Sequence, residues 1–161
     1  IPRVATYEEF AAFEKAGRAL AELHVNYEAV KPYEGCTIDA ADSPSYRVEK
    51  LAYGKIAGQK GDAAKDRSTI IYNNSITIKN IPLEAQEYVV NKKSALDWIV
   101  ERCCVSTDKD SGIVNDFNDY AKEMGDEKYI FKLILRVITV SLETMKIVKA
   151  LPKLNIHPLD K

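Results

Sequence analysis

Four cations, Lys55, Lys60, Lys65 and Arg67, fall in one polar stretch, Gly54-Lys55-Ile56-Ala57-Gly58-Gln59-Lys60-Gly61-Asp62-Ala63-Ala64-Lys65-Asp66-Arg67. Residues 47–67 carry six basic against three acidic side chains, whereas residues 1–46 carry four against eight and the remainder balances. With a net charge of −1, the positive potential is local, which argues against strong non-specific polyanion binding by the whole surface. Other reactive residues are poorly placed for catalysis. The two histidines, His24 and His157, stand far apart and outside any cysteine cluster, so neither a zinc site nor a hydrolytic triad is expected. His24 is expected to be a hydrogen-bonded packing residue. Neither a glycine-rich phosphate loop nor a Gly-x-Ser-x-Gly elbow occurs. Asp108-Lys109-Asp110-Ser111-Gly112 lacks the later glutamate of a calcium-binding loop, so turn-making is its expected role.

The elements that must position these groups follow from periodicity and punctuation. Thr6-Tyr7-Glu8-Glu9 has capping-box spacing, and Phe10, Phe13, Gly17, Leu20, His24 and Tyr27 recur at helical intervals, predicting a helix over roughly 6–27. From Cys36 to Arg67 the pattern is irregular; only Tyr46 to Tyr53 alternates as a strand, and 54–67 reads as a mobile loop. Thr69 to Ile78 reads as a hairpin about Asn73-Asn74, with Ile71 facing Ile76 and Thr69 facing Ile78. Pro82 opens a short helix to about Val90. Ser94 caps another helix, which places Leu96, Ile99, Val100 and Cys103 on one side. Residues 105–118 form a polar loop. Asp126 then caps a long helix to about Ala150, with Ile130, Leu133, Ile134, Val137, Ile138, Met145 and Val148 on one face and Phe131, Leu135 and Leu142 on another. So wide an apolar surface must be buried. The expected class is α+β: an N-terminal helix, a small antiparallel sheet with a hairpin, and a helical C-terminal half ending in a long buried helix.

At 161 residues with 46% hydrophobic content, the chain has enough apolar material for one core, so residues 1–161 are expected to form one domain or part of one. The start at Ile1 suggests a piece of something longer. The three cysteines, Cys36, Cys103 and Cys104, argue against a disulfide framework, and Cys103 is expected in the core. No apolar run reaches membrane-spanning length. A cytoplasmic protein without a membrane partner is the expectation.

Several strings carry more than composition does: His24-Val25-Asn26-Tyr27-Glu28, Tyr46-Arg47-Val48-Glu49-Lys50, Ile81-Pro82-Leu83-Glu84-Ala85, Tyr88-Val89-Val90-Asn91, Lys93-Ser94-Ala95-Leu96-Asp97-Trp98-Ile99, and Thr107 to Asp116. In this order they resemble the extreme C-terminal region of the Type ISP restriction–modification enzymes and related helicase or adenine-specific methyltransferase proteins. Cys103-Cys104, Phe117 and Tyr120 depart from the pattern, which tends to Tyr-Gln, proline and tryptophan there.

The resemblance implies target recognition within a long polypeptide that also carries a nuclease, an ATP-driven translocase and an adenine-N6 methyltransferase. S-adenosylmethionine, ATP and Mg would belong to those other domains, and this stretch would hold neither a cofactor nor a catalytic or metal-ligating residue. Its partner would be double-stranded DNA, held while a neighbouring domain flips and methylates the adenine. Lys55, Lys60, Lys65 and Arg67 would contact phosphates, with Lys92, Lys93 and Lys109 as further candidates. The alternative is a structural domain whose long final helix docks on the methyltransferase or helicase domain without touching bases.

Overall fold

Thr6 accepts a hydrogen bond from the Glu9 amide at 3.2 Å, which opens helix α1, Tyr7–Val25. The computed structural model describes residue 4 and residues 6–153, so the readings at Ile1 and His157 lie outside the described residues. The helix has no fully buried residue. Its half-buried side includes Phe13, Leu20, Leu23 and His24, whereas Phe10 is 55% exposed. Phe10 is therefore not on the packed face that the spacing suggested.

Four strands form an antiparallel sheet: β1 (Thr37–Ala40), β2 (Ala52–Lys55), β3 (Lys65–Ile71) and β4 (Ile76–Lys79), in the order β1-β4-β3-β2. Two expectations for 36–67 are corrected. Residues 46–51 are not a strand, although Val48 and Leu51 are buried there, and the expected loop of 54–67 contains the end of β2, a short 3-10 turn at Gly61–Ala64 and the start of β3. Strand β1 gave no sequence signal, because as an edge strand it is exposed at all four positions and has no alternation to show.

The β3–β4 hairpin forms, but one residue out of the expected register, pairing Ile70 with Ile78 and Ile71 with Thr77. The cause is the Asn73 carboxamide. Its Oδ1 accepts from the Ser75 amide at 2.8 Å and the Ile76 amide at 2.9 Å, which makes a three-residue turn without positive φ in place of the two-residue turn. A one-residue shift reverses the faces. Ile70, Tyr72, Ile76 and Ile78 point into the core, and Ile71 is left 40% exposed.

Helix α2, Ala95–Arg102, starts at a complete capping box between Ser94 and Asp97 and buries Leu96, with Cys103 fully buried just beyond its end. Before it, the helix expected after Pro82 stops as a single 3-10 turn at Leu83–Gln86, and strands β5 (Val89–Val90) and β6 (Lys93–Ser94) follow. Asn91 and Lys92 join them with φ of 51° and 69°, so the left-handed two-residue turn occurs here rather than at Asn73-Asn74. The polar loop after Val105 is largely a ribbon, β7 (Val105–Thr107) and β8 (Val114–Asp116), and a short helix α3 (Asn118–Glu123) follows.

Helix α4, Tyr129–Lys149, begins three residues beyond Asp126, whose side chain caps the preceding turn through the Lys128 amide at 3.0 Å. Ile130, Ile134 and Ile138 are completely buried and pack with the sheet residues and Leu96 in one cluster. Val148 is 41% exposed, so the apolar face narrows in the last turn. At its far half the helix meets α1 at His24, whose Nε2 lies 3.5 Å from the Thr144 hydroxyl and 2.9 Å from the Tyr88 hydroxyl, while its Nδ1 lies 2.7 Å from the Leu20 carbonyl one turn back. His24 is thus a hydrogen-bonded packing residue. No helix among the described residues is long and apolar enough to cross a membrane.

Candidate functional site

Strands β2 and β3, the β5–β6 hairpin and helix α2 surround a cleft of about 870 Å³. Lys55, Lys60, Lys65, Arg67, Lys92 and Lys93 all line it, which brings together six of the seven cations singled out in the sequence. Lys50 adds a seventh basic side chain that sequence reasoning missed, against three acidic ones, Asp62, Asp97 and Glu101. Lys109 lies elsewhere, at the tip of the β7–β8 ribbon. There Asp108 accepts from the Ser111 amide and hydroxyl, both at 2.8 Å, in the expected turn-making role.

The cations differ in freedom. Arg67, expected on a mobile loop, is on strand β3, and its side chain is only 27% exposed. Its guanidinium donates to Asp97 at 2.6 Å and stands 5.3 Å from the centroid of the Tyr53 ring. Asp97 is in turn fixed by the capping box, its carboxylate accepting from the Ser94 amide at 3.2 Å. Burial alone would raise the Asp97 carboxyl, but hydrogen bonds from Arg67 and Ser94 hold it below the usual carboxylate range. Among the described residues the Tyr53 hydroxyl beneath has no partner at hydrogen-bond geometry, and burial pushes it up to about 12.

Lys65 is bridged to Asp62 at 2.8 Å, and Lys93 pairs with Glu101 and lies over the Trp98 ring. Among the described residues, Lys50, Lys55, Lys60 and Lys92 make no ion pair. Lys92 is held at the cleft by its left-handed turn, a conformation that costs a non-glycine residue about 1 kcal/mol. The sequence signal for this convergence was weak, since neither Lys92 nor Asp97 neighbours β3 in the chain.

A smaller concavity of about 440 Å³ near α3 is less suited to an anion. Its Arg47 is paired with Glu49 at 2.8 Å and Asp116 at 3.0 Å, and its Lys122 with Asp119 at 2.6 Å. Asn118 beside it is structural: its side chain accepts from the Val48 amide at 2.9 Å and donates to the Val48 carbonyl at 2.7 Å.

The family model of the Type ISP C-terminal specificity domain matches residues 1–133. The chain belongs to this family. Among solved structures, a nuclease-deletion mutant of the Type ISP restriction–modification enzyme LlaGI in complex with a DNA substrate mimic is 40% identical, with a TM-score of 0.78. The match covers 98% of this specificity domain and 14% of the LlaGI chain. The ATP-dependent Type ISP restriction–modification enzyme LlaBIII bound to DNA is 43% identical, with a TM-score of 0.80 over 98% of this chain and 9% of its own. The DrdV–DNA complex is 28% identical, with a TM-score of 0.69 over 94% of this chain and 15% of its own. This specificity domain thus spans only a small part of each of those chains. No curated protein sequence matches it significantly.

Proposed function

We propose that this specificity domain grips duplex DNA through the cleft between β2, β3, α2 and the β5–β6 hairpin, as part of a longer restriction–modification polypeptide. The observation that carries the reading is the convergence of Lys50, Lys55, Lys60 and Lys92, four cations without ion-pair partners among the described residues, from two separate segments onto one concave surface. Such groups neutralise phosphates and release condensed counterions, a term that orients the protein on DNA without reading sequence. The membership of the family and the DNA-bound state of the three similar structures support it. The domain supplies binding and placement. Adenine methylation, translocation and cleavage, with S-adenosylmethionine, ATP and Mg, fall to methyltransferase, helicase and nuclease domains elsewhere in the polypeptide.

Changing Lys55, Lys60 and Lys92 together to Gln in the intact polypeptide should leave the melting temperature unchanged. Binding to a duplex should weaken, and the slope of log affinity against log salt should become shallower by about 2–3, roughly one for each lost phosphate contact. Unchanged affinity and slope across a salt series would remove the cleft from the DNA-facing surface. Arg67 is left out of this set because its pairing with Asp97 makes it part of the fold.

Docking on a neighbouring domain is a compatible second reading, but through a different element from the one first expected. The apolar stripe of α4 is buried inside this domain, whereas α1 has no fully buried residue and leaves Tyr7 78% and Val25 79% exposed.

A further inference from the structure

We infer that Lys65 and Arg67 form a seat for one DNA phosphate and that the Asp62 carboxylate occupies this seat until the phosphodiester displaces it. The inference rests on the DNA-binding reading above and adds an anion site with a built-in competitor. Asp62 Oδ1 accepts from Lys65 Nζ at 2.8 Å, and both carboxylate oxygens lie 3.3 Å from Arg67 Nη2. A guanidinium and an ammonium converging on one anionic group is the arrangement that also suits a phosphate, since carboxylate and phosphate present similar acceptor pairs to the arginine fork.

What distinguishes this cluster from an ordinary surface ion pair is the unequal anchoring of its members. Arg67 is fixed from behind by Asp97 at 2.6 Å and by its position over the Tyr53 ring, 5.3 Å from the centroid, and its side chain is 27% exposed. Asp62 is 71% exposed and belongs to the single 3-10 turn at Gly61–Ala64. The cation stays and the anion can leave. An exposed pair of this kind contributes little to stability, so the carboxylate can be released into water at small cost. A phosphate, with more charge around it and neighbouring cations from Lys55, Lys60 and Lys92, wins the exchange at low salt and loses it as salt rises. Asp62 would therefore lower non-specific affinity, because every duplex has to compete with it.

The test is a double-mutant cycle in the intact polypeptide, read as affinity for a mixed-sequence duplex at low salt. Asp62→Asn should tighten binding about twofold to fivefold, the scale of one exposed charge pair, and melt with the wild type. In a Lys65→Gln background the same change should bring little gain, because the seat is already incomplete. Asp62→Ser serves as a second variant should Asn perturb the turn. An equal gain in both backgrounds would mean that only a general field was removed and would overturn the seat, as would no gain or a loss. If the seat fails while the Lys55, Lys60 and Lys92 variant still weakens binding, the DNA reading stands without it; if that variant also binds as wild type, the reading itself falls.

Discussion

Tyr53 shows how a single atom can run against the rest of a core. The residue is 6% exposed and its ring supports the Arg67 guanidinium, yet its hydroxyl is buried without a hydrogen-bond partner among the described residues. Removing an unsatisfied buried donor while keeping the ring should relieve a desolvation penalty of about 1 kcal/mol or more. Tyr53→Phe is therefore expected to raise the urea midpoint slightly and to leave DNA binding intact. A lower midpoint would show that the hydroxyl bonds to Asp97 or Gln86 in solution. Asn118 is the opposite case, with its carboxamide acting as a surrogate strand for both backbone groups of Val48. Nothing local in the sequence marks either residue, because both roles depend on contacts made far along the chain.

At the scale of elements, α4 carries the largest share of the burial. Ile134 and Ile138 are completely buried against the sheet cluster, so replacing either with Ala should cost roughly 2–5 kcal/mol in denaturant unfolding. A loss under about 1 kcal/mol would mean that the face is not packed as described. This helix was legible from its apolar spacing, as were α1 and the Ser94 capping box, since helical periodicity and caps are written in adjacent residues. The sheet was less so. Asn73 can either adopt positive φ or use its carboxamide to hold the turn, and only the second choice puts Ile70 and Ile78 on the inner face. Strand β1 and the β7–β8 ribbon are exposed and short, so neither displays the alternation that identifies a strand. The basic cleft was half visible: its residues could be named, but their convergence depends on the β5–β6 hairpin folding back beside β3.

For the molecule as a whole, two carboxylates tie distant segments together and make stability depend on acid. Asp97 links α2 to β3 through Arg67, and Asp116 links the ribbon to residue 47. Asn118 donates to Asp116 from its side chain and backbone and Arg47 adds to this, holding that carboxyl down at about 2. Both groups sit below their unfolded value of about 3.9, so their stabilisation is complete above that pH and is lost as pH falls through the folded values. Urea midpoints should decline between about pH 4 and pH 2, and Asp116→Asn should flatten part of that decline. A midpoint independent of pH in this range would contradict the pairing.

The position of α4 also bears on synthesis at the ribosome. Strand β1 waits for β4, α1 waits for the last long helix, and Ile70, Ile78 and Leu96 find their covering surface only when residues 130–138 have emerged. A nascent chain halted earlier has strands without a roof, and is a substrate for chaperones and proteases rather than a partly working domain. The core is thus expected to close only in chains translated through this segment.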